Sequence, residues 1–503
     1  MRPRLLPLPF LAFFIAASME TVRAEESSKK PNVIVIFTDD HGWPDLGVSG
    51  IYRDLRTPHL DQLAKDGVYA TNGYASAPQC VPSRAGILTG KYQNRFGVES
   101  NGVALTGFNA EKTVAERLKL AGYATGQIGK WHLGPASKIV DHGFDDVYSK
   151  NSNRPCHANF TLDGKTISMQ VVKDGLYHLD ACSQAARAFI QRHQKESFFL
   201  YLAYRAPHVP LDAPKKYLDR FPGKMPERRR QALAMISAMD DGVGLIRSTL
   251  KQCGLTDDTL IFVIGDNGAP LKIHKHDAPG GGPGWDGSLN RPMNGEKGML
   301  SEGGIRVPYV VAWPGTFPAG QIYQHPVISL DVAATALAIA GGEGDSKLDG
   351  VNLLPFLSGK RKDPPHASLY WRWIAQSAVR EGKWKFLKGG TREYLFDLAK
   401  DQGEKVNLAA THADVANRLR SKLRTWAADL KPAGLTTRKM SSVWEQYFDF
   451  YLDGKPAPPL RKKSRRGPKA ERVKGWVARN AKLSSRGKAL RVTTNAKQRN
   501  PFL

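Results

Sequence analysis

The chain has 503 residues, enough at roughly 100 to 200 per domain for two to four compact units. With 41% hydrophobic and 24% charged residues and only four cysteines, it is neither a disordered chain nor a small disulfide-stapled scaffold. The net charge of +26 is unevenly placed, because residues 461–503 hold 15 Lys and Arg against the single acid Glu471.

In chain order, Arg2 and Arg4 precede an apolar run over residues 5–17 that Pro7 and Pro9 interrupt. The run is too short to span a bilayer. Basic start, apolar middle and the small or modest side chains of Val22 and Ala24 have the form of a secretory signal over residues 1–24, with cleavage expected after Ala24. The mature protein is then expected to be exported, to the periplasm, cell surface or medium, with no transmembrane segment. Residues 32–38 (NVIVIFT) are continuously apolar and β-branched, the pattern of a strand covered on both faces. Residues 124–129, 198–204 and 260–264 repeat it, each after a helical stretch, at 113–121, 180–193 and 230–250. Such alternation predicts an α/β domain over 25–360, a large, mostly parallel sheet sandwiched by helices.

Beyond about residue 360 the grammar changes. Short strand candidates at 368–373, 377–380, 384–387 and 393–397 precede a helix at 413–430, which predicts a smaller antiparallel α+β subdomain over 361–455. The glycine-rich stretch 277–287 reads as a surface loop, with His274 and His276 beside it. Residues 456–503 read as a basic arm without regular structure, attracted to a polyanion. For an exported protein that polyanion is expected to be a sulfated or carboxylated polysaccharide, or an anionic surface, with no nucleic acid partner.

Open α/β sheets gather their chemistry outside the carboxyl ends of their strands. Asp39 and Asp40 follow the first strand, Lys130, Trp131 and His132 the second, His208 the third, and Asp266 and Asn267 the fourth. Singly, acid or amide pairs are ordinary turn formers. Jointly, Asp39, Asp40, Asp266 and Asn267 are four hard oxygen donors of the kind Ca²⁺ or Mg²⁺ requires. Trp131, between two polar candidates, is expected to be a packing residue.

Cys80-Val81-Pro82-Ser83-Arg84 is the sharpest local signal. Pro82 suits the first turn of a helix, leaving Cys80 at its N-terminus, where a thiol can be activated. The motif resembles the Cys-x-Pro-x-Arg signature of the type I sulfatases of the alkaline-phosphatase-like superfamily. Residues 126–134 (GQIGKWHLG), 206–210 (APHVP), 265–268 (GDNG) and 295–308 (GEKGMLSEGGIRVP) are similar to further family motifs, so the resemblance runs from 31 to about 430.

The resemblance implies that Cys80 is oxidised to formylglycine by a separate formylglycine-generating enzyme, giving a geminal diol. It implies that Asp39, Asp40, Asp266 and Asn267, with a diol oxygen at position 80, hold Ca²⁺ in preference to Mg²⁺. Arg84 and Lys130 would hold the diol, His132 would act as base on it, and His208 with Lys297 would bind sulfate and serve the leaving alcohol. The implied reaction is hydrolysis of a sulfate ester, expected to be of a sulfated carbohydrate, through a covalent sulfo-enzyme. Two alternatives stay open, a phosphomonoester or phosphonate-ester hydrolase of the same architecture, and a non-catalytic polyanion-binding protein. With Cys80 so used, Cys156, Cys182 and Cys253 allow at most one bridge, for which Cys156 and Cys182 are the expected pair. The aromatic run 369–373 (LYWRW) could stack on a glycan or form an edge of the small sheet.

Overall fold

The computed structural model describes residues 29–159, 161–162, 165–273, 285–342 and 347–457, and the backbone of four short strands between 471 and 494. The signal segment, His274, His276, most of the glycine-rich loop and the side chains of the basic segment lie outside the described residues.

Strand β1 (Asn32–Asp39) is buried along its whole length. Val33, Val35 and Phe37 enter one apolar core, while Ile34 and Ile36 enter another. A run without polar alternation needs that two-sided cover. After β1 the main sheet takes β2 (Val68–Ala70), β3 (Ala124–Gly129), β4 (Asp146–Ser149), β5 (Cys156–Ala158), β6 (Gln170–Val172), β7 (Phe198–Pro207), β8 (Thr259–Gly265), β9 (Tyr309–Ala312) and β10 (Gln321–Tyr323). Their order in space is β10-β2-β9-β8-β1-β7-β3-β4-β5-β6. The centre, β8 to β4, is parallel, as the alternation of helix and strand predicts. Antiparallel pairings of β9 with β8 and β2, and of β5 with β4 and β6, make the margins mixed.

Helices α1 (Pro58–Asp66), α2 (Cys80–Thr89), α3 (Val114–Leu120), α4 (His178–Arg192), α5 (Glu227–Gln252) and α6 (Asp331–Ile339) cover the two faces. α2, α3 and α6 feed the core of Val33 and Phe37; α1, α4 and α5 feed that of Ile34 and Ile36. The small sheet, β11 (Leu369–Trp373), β12 (Gln376–Glu381), β13 (Trp384–Gly389) and β14 (Arg392–Asp397), is antiparallel throughout. With α7 (Ala413–Ala427) and α8 (Ser442–Tyr451) it builds a third core that also takes in Tyr74, Met299, Leu300 and Leu330. The two lobes therefore share apolar interior.

The structure differs from expectation at the cysteines and in the basic segment. All four cysteines are free thiols, so Cys156 and Cys182 do not pair. The Cys156 thiol donates to the Val172 carbonyl along the sheet edge, whereas Cys182 is packed on the apolar side of α4. Of the two readings of the aromatic run, the edge of the small sheet holds and the glycan platform does not, because Trp371 and Trp373 are buried between the lobes, donating to the Ala75 carbonyl and to Gln79 Oε1. Within the basic segment the backbone forms two antiparallel pairs, β15 (Glu471–Val473) with β16 (Trp476–Ala478) and β17 (Ala481–Arg486) with β18 (Ala489–Thr494). The sequence had suggested an arm without regular structure there.

Candidate active site

Register brings the polar strand ends together. Thr38 pairs with Gly265, so Asp39-Asp40 and Asp266-Asn267 leave the sheet side by side. On the other flank Phe37 lies opposite Ala203 and Ala203 opposite Gly129, which delivers Lys130 and the turn bearing His208 to the same edge. Gly129 has φ +93 and leaves no room for a side chain, since a Cβ there would meet the Ala203 carbonyl at 2.1 Å. Asp40 and His132 also adopt left-handed φ, 58° and 62°, uncommon for residues with side chains and frequent at functional sites. The Asp40 conformation is held by its own N–H, which donates to Asp266 Oδ1 at 3.0 Å.

α2 supplies the other half. Cys80 is its first residue, and Arg84, one turn later, is fully buried. The Arg84 guanidinium donates to Asp266 Oδ2 at 2.9 Å and to the Lys130 carbonyl at 3.2 Å, and lies 3.6 Å from Asp39. Lys130 Nζ sits 2.5 Å from Asp39 Oδ2, and Lys297 Nζ 2.5 Å from Asp40 Oδ1. The Cys80 thiol faces Asp39 Oδ1 at 3.4 Å and receives Lys297 Nζ at 3.2 Å. His208 turns Nε2 to Asp40 Oδ2 at 3.6 Å, with Nδ1 on the Val209 carbonyl.

Three carboxylates and three cations thus meet in one buried cluster. Burial raises the Asp39 carboxyl, yet Lys130, His208 and Arg84 outweigh it and hold that group well below the usual range. Asp40 is lowered against its burial chiefly by Lys297 and His208. Asp266 goes the other way, pushed up to about 7 by burial and by the charge of Asp39. Burial, then Asp266, also pushes the Cys80 thiol far up, more than Lys130 and Lys297 pull it down. The activated thiol that a helix N-terminus could produce is therefore absent.

Nine of the ten site residues expected from sequence enter this cluster. His132 makes no hydrogen bond among the described residues and stands exposed at its mouth. Partial desolvation, then the Lys130 and Arg84 charges, depress its imidazole. Trp131 packs beside Phe108, His142 and Phe144, as expected of a core residue. Sequence reasoning missed Tyr201, whose phenol meets Arg84 Nη1 at 3.5 Å, and Arg205, whose guanidinium donates to the Val209 carbonyl and braces the His208 turn. Both sit inside an apolar strand run, where one polar residue gives no periodic signal.

Fold and cluster define a hydrolase of the alkaline-phosphatase-like superfamily. The sulfatase family model matches residues 31–342, and the model described as N-sulphoglucosamine sulphohydrolase, C-terminal, matches residues 295–429. The chain is 33% identical over 395 residues to N-acetylgalactosamine-6-sulfatase of Mus musculus, covering 72% of each. Among solved structures, Ps i-CgsB matches with a TM-score of 0.72 and 30% identity, over 84% of this chain and 97% of that one. Its complex with k-i-k-neocarrahexaose matches with a TM-score of 0.71, 29% identity and the same coverage. The chain belongs to the sulfatase family and is a sulfuric ester hydrolase.

Proposed function

We propose that the protein is an exported sulfatase that removes sulfate from a sulfated carbohydrate, with formylglycine made from Cys80 as nucleophile and Ca²⁺ as cofactor. The observation that carries this reading is a buried, unactivated thiol at the head of α2, ringed by Arg84, Lys130, Lys297 and paired carboxylates. Burial and the Asp266 charge favour its protonated form, a weak nucleophile. Formylglycine, hydrated, supplies an oxygen nucleophile in its place. Sγ marks the position of one such oxygen, so its contacts with Asp39 and Lys297 stand for those of a hydroxyl.

The donor set fits a hard divalent cation. Asn267 Oδ1 is buried without a partner among the described residues, and oxygens of Asp39 and Asp40 lie with Cys80 Sγ and a His208 ring nitrogen within 4.8 Å of one another. Asp39, Asp40, Asp266, Asn267 and position 80 would hold the ion. When bound, the cation supplies positive charge that draws electron density from the sulfate ester.

The chain's own groups divide the remaining work. Arg84, fixed by Asp266 and the Lys130 carbonyl, keeps its charge beneath position 80. Lys130 and Lys297 bring two further cations against an anionic ester. Hydrogen bonding to the Val209 carbonyl places one His208 proton on Nδ1, which leaves Nε2, facing Asp40, as the nitrogen that would deliver a proton to the leaving oxygen. His132, kept neutral, is the base for a hydroxyl proton at position 80. Carbohydrate as the leaving group is supported by the N-acetylgalactosamine-6-sulfatase relative and by the neocarrahexaose complex. Export is supported by the signal-like residues 1–24.

Ion chromatography of sulfate released from N-acetylgalactosamine 6-sulfate and from carrageenan oligosaccharides tests the substrate class. Release from at least one, reduced about 100-fold or more in His208→Ala, is expected. Turnover of an aryl sulfate with no release from any sugar would contradict it.

A further inference from the structure

The C-terminal lobe contains a cleft of about 660 Å³, lined by the turn after β13, by α7 and by residues 434–440 leading into α8. Lys388, Arg392, Arg424, Arg438 and Lys439 line it against a single acid, Glu445. Arg392 is already paired with Asp449 at 2.7 Å and Asp453 at 3.1 Å, and Lys388 lies 3.8 Å from Glu393. Arg424, Arg438 and Lys439 are exposed and have no side-chain partner among the described residues. Unspent cations around a concave surface focus positive potential into it. The wall is fixed in place, because buried Arg372 donates to the carbonyls of Pro432 and Gly434, each at 2.6 Å.

A short chain of contacts links the cleft to the reaction centre. Gln376 pairs with Gly389 across β12 and β13, so the turn at 389–392 lies beside the turn that joins β11 to β12. At that end of the sheet Trp373 donates to Gln79, the neighbour of Cys80. Gln376 there donates to the Gly298 carbonyl and accepts from the Leu300 N–H, on the loop that carries Lys297. Trp444, next to Glu445 in α8, covers the same loop so closely that a Cβ on Gly298 would come within 2.2 Å of its ring.

We infer that this cleft is a second anion subsite, which binds a further sulfated or carboxylated sugar of the oligosaccharide whose ester lies at position 80. The enzyme then acts on a chain rather than on a single sugar. The volume is that of an ordinary small-ligand site, and the ligand's charge complements Arg424, Arg438 and Lys439. This inference rests on the carbohydrate reading above.

The test uses the full chain carrying Cys80→Ala and calorimetric binding of three probes, a chondroitin 6-sulfate hexasaccharide, its desulfated form, and N-acetylgalactosamine 6-sulfate. The sulfated hexasaccharide is expected to bind at least about tenfold tighter than either other probe. Arg424→Glu with Lys439→Glu is expected to remove the advantage over the monosaccharide, and Arg438→Glu alone to reduce it, with unchanged melting temperatures because all three residues are exposed. Attraction from the basic residues after 460 is common to every variant, so the difference reads the cleft. Hexasaccharide affinity no greater than that of the monosaccharide, or affinities within twofold across the variants, would overturn the subsite. Sulfate release from aryl sulfate and from no sugar counts against the carbohydrate reading instead, and is measured separately on protein with Cys80 intact.

Discussion

Arg84 has no exposed surface, and its guanidinium lies 2.9 Å from Asp266 and 3.6 Å from Asp39. Its ring neighbour is Phe37, 5.3 Å away, so no water replaces a lost partner easily. Arg84→Ala leaves Asp266 without its cation, and urea unfolding is expected to show a loss of about 3–5 kcal/mol. A loss under about 1 kcal/mol would mean that Lys130 and a cation carry the charge balance without it. In the proposed calcium site Asn267 would meet the cation through Oδ1, which has no hydrogen-bond partner among the described residues. Calcium at about 100 times its Kd should stabilise the native enzyme by about 2.7 kcal/mol, read as a rise in melting temperature that EDTA reverses. In Asn267→Leu the rise should shrink by half or more, and an undiminished rise would remove Asn267 from the ion's ligands.

Among the elements, α3 offers the simplest local test. Thr113 Oγ1 accepts from the Glu116 N–H while Glu116 reaches back to the Thr113 N–H, a complete capping box. Thr113→Ala is expected to cost about 1 kcal/mol. The helix 302–305 and the small sheet are joined by buried Lys385, 2.8 Å from both Glu302 and Glu404. Burial raises Glu302, but Lys385, Arg306 and Arg380 outweigh it and bring it down to about 2, below the 4.5 of a free glutamate. An acid depressed on folding contributes stability that is present above about 4.5 and lost as pH falls towards about 2. Lys385→Met should therefore cost about 3–5 kcal/mol at pH 7, with the difference from wild type narrowing through that acid window. A difference that does not change with pH would assign the cost to packing alone. None of this network is visible in sequence, because Glu302 and Lys385 are 83 positions apart and each resembles a solvated charge. The orientation of β9 is equally hidden, since the apolar run Tyr309–Ala312 suits a parallel or an antiparallel neighbour.

At the scale of the whole molecule, the legible part is the part set by local chemistry. Buried strands announce themselves as β-branched runs, and their polar ends mark where Asp39, Lys130, His208 and Asp266 meet. Illegible are the features set by how lobes pack, among them the burial of Trp371 and Trp373 and the placement of Trp444 over Gly298. The proposed cleavage of the signal-like segment after Ala24 would place the mature N-terminus at Glu25, which N-terminal sequencing of secreted material checks. Met1 retained on exported material would contradict it.

The central claim is the identity of the nucleophile. Peptide mass spectrometry across position 80, on protein made with a formylglycine-generating enzyme, reads it directly. The account predicts a residue about 18 Da lighter than cysteine, with sulfate release that rises in step with the converted fraction and vanishes in Cys80→Ala. Full sulfatase activity from protein whose Cys80 remains a thiol would contradict it.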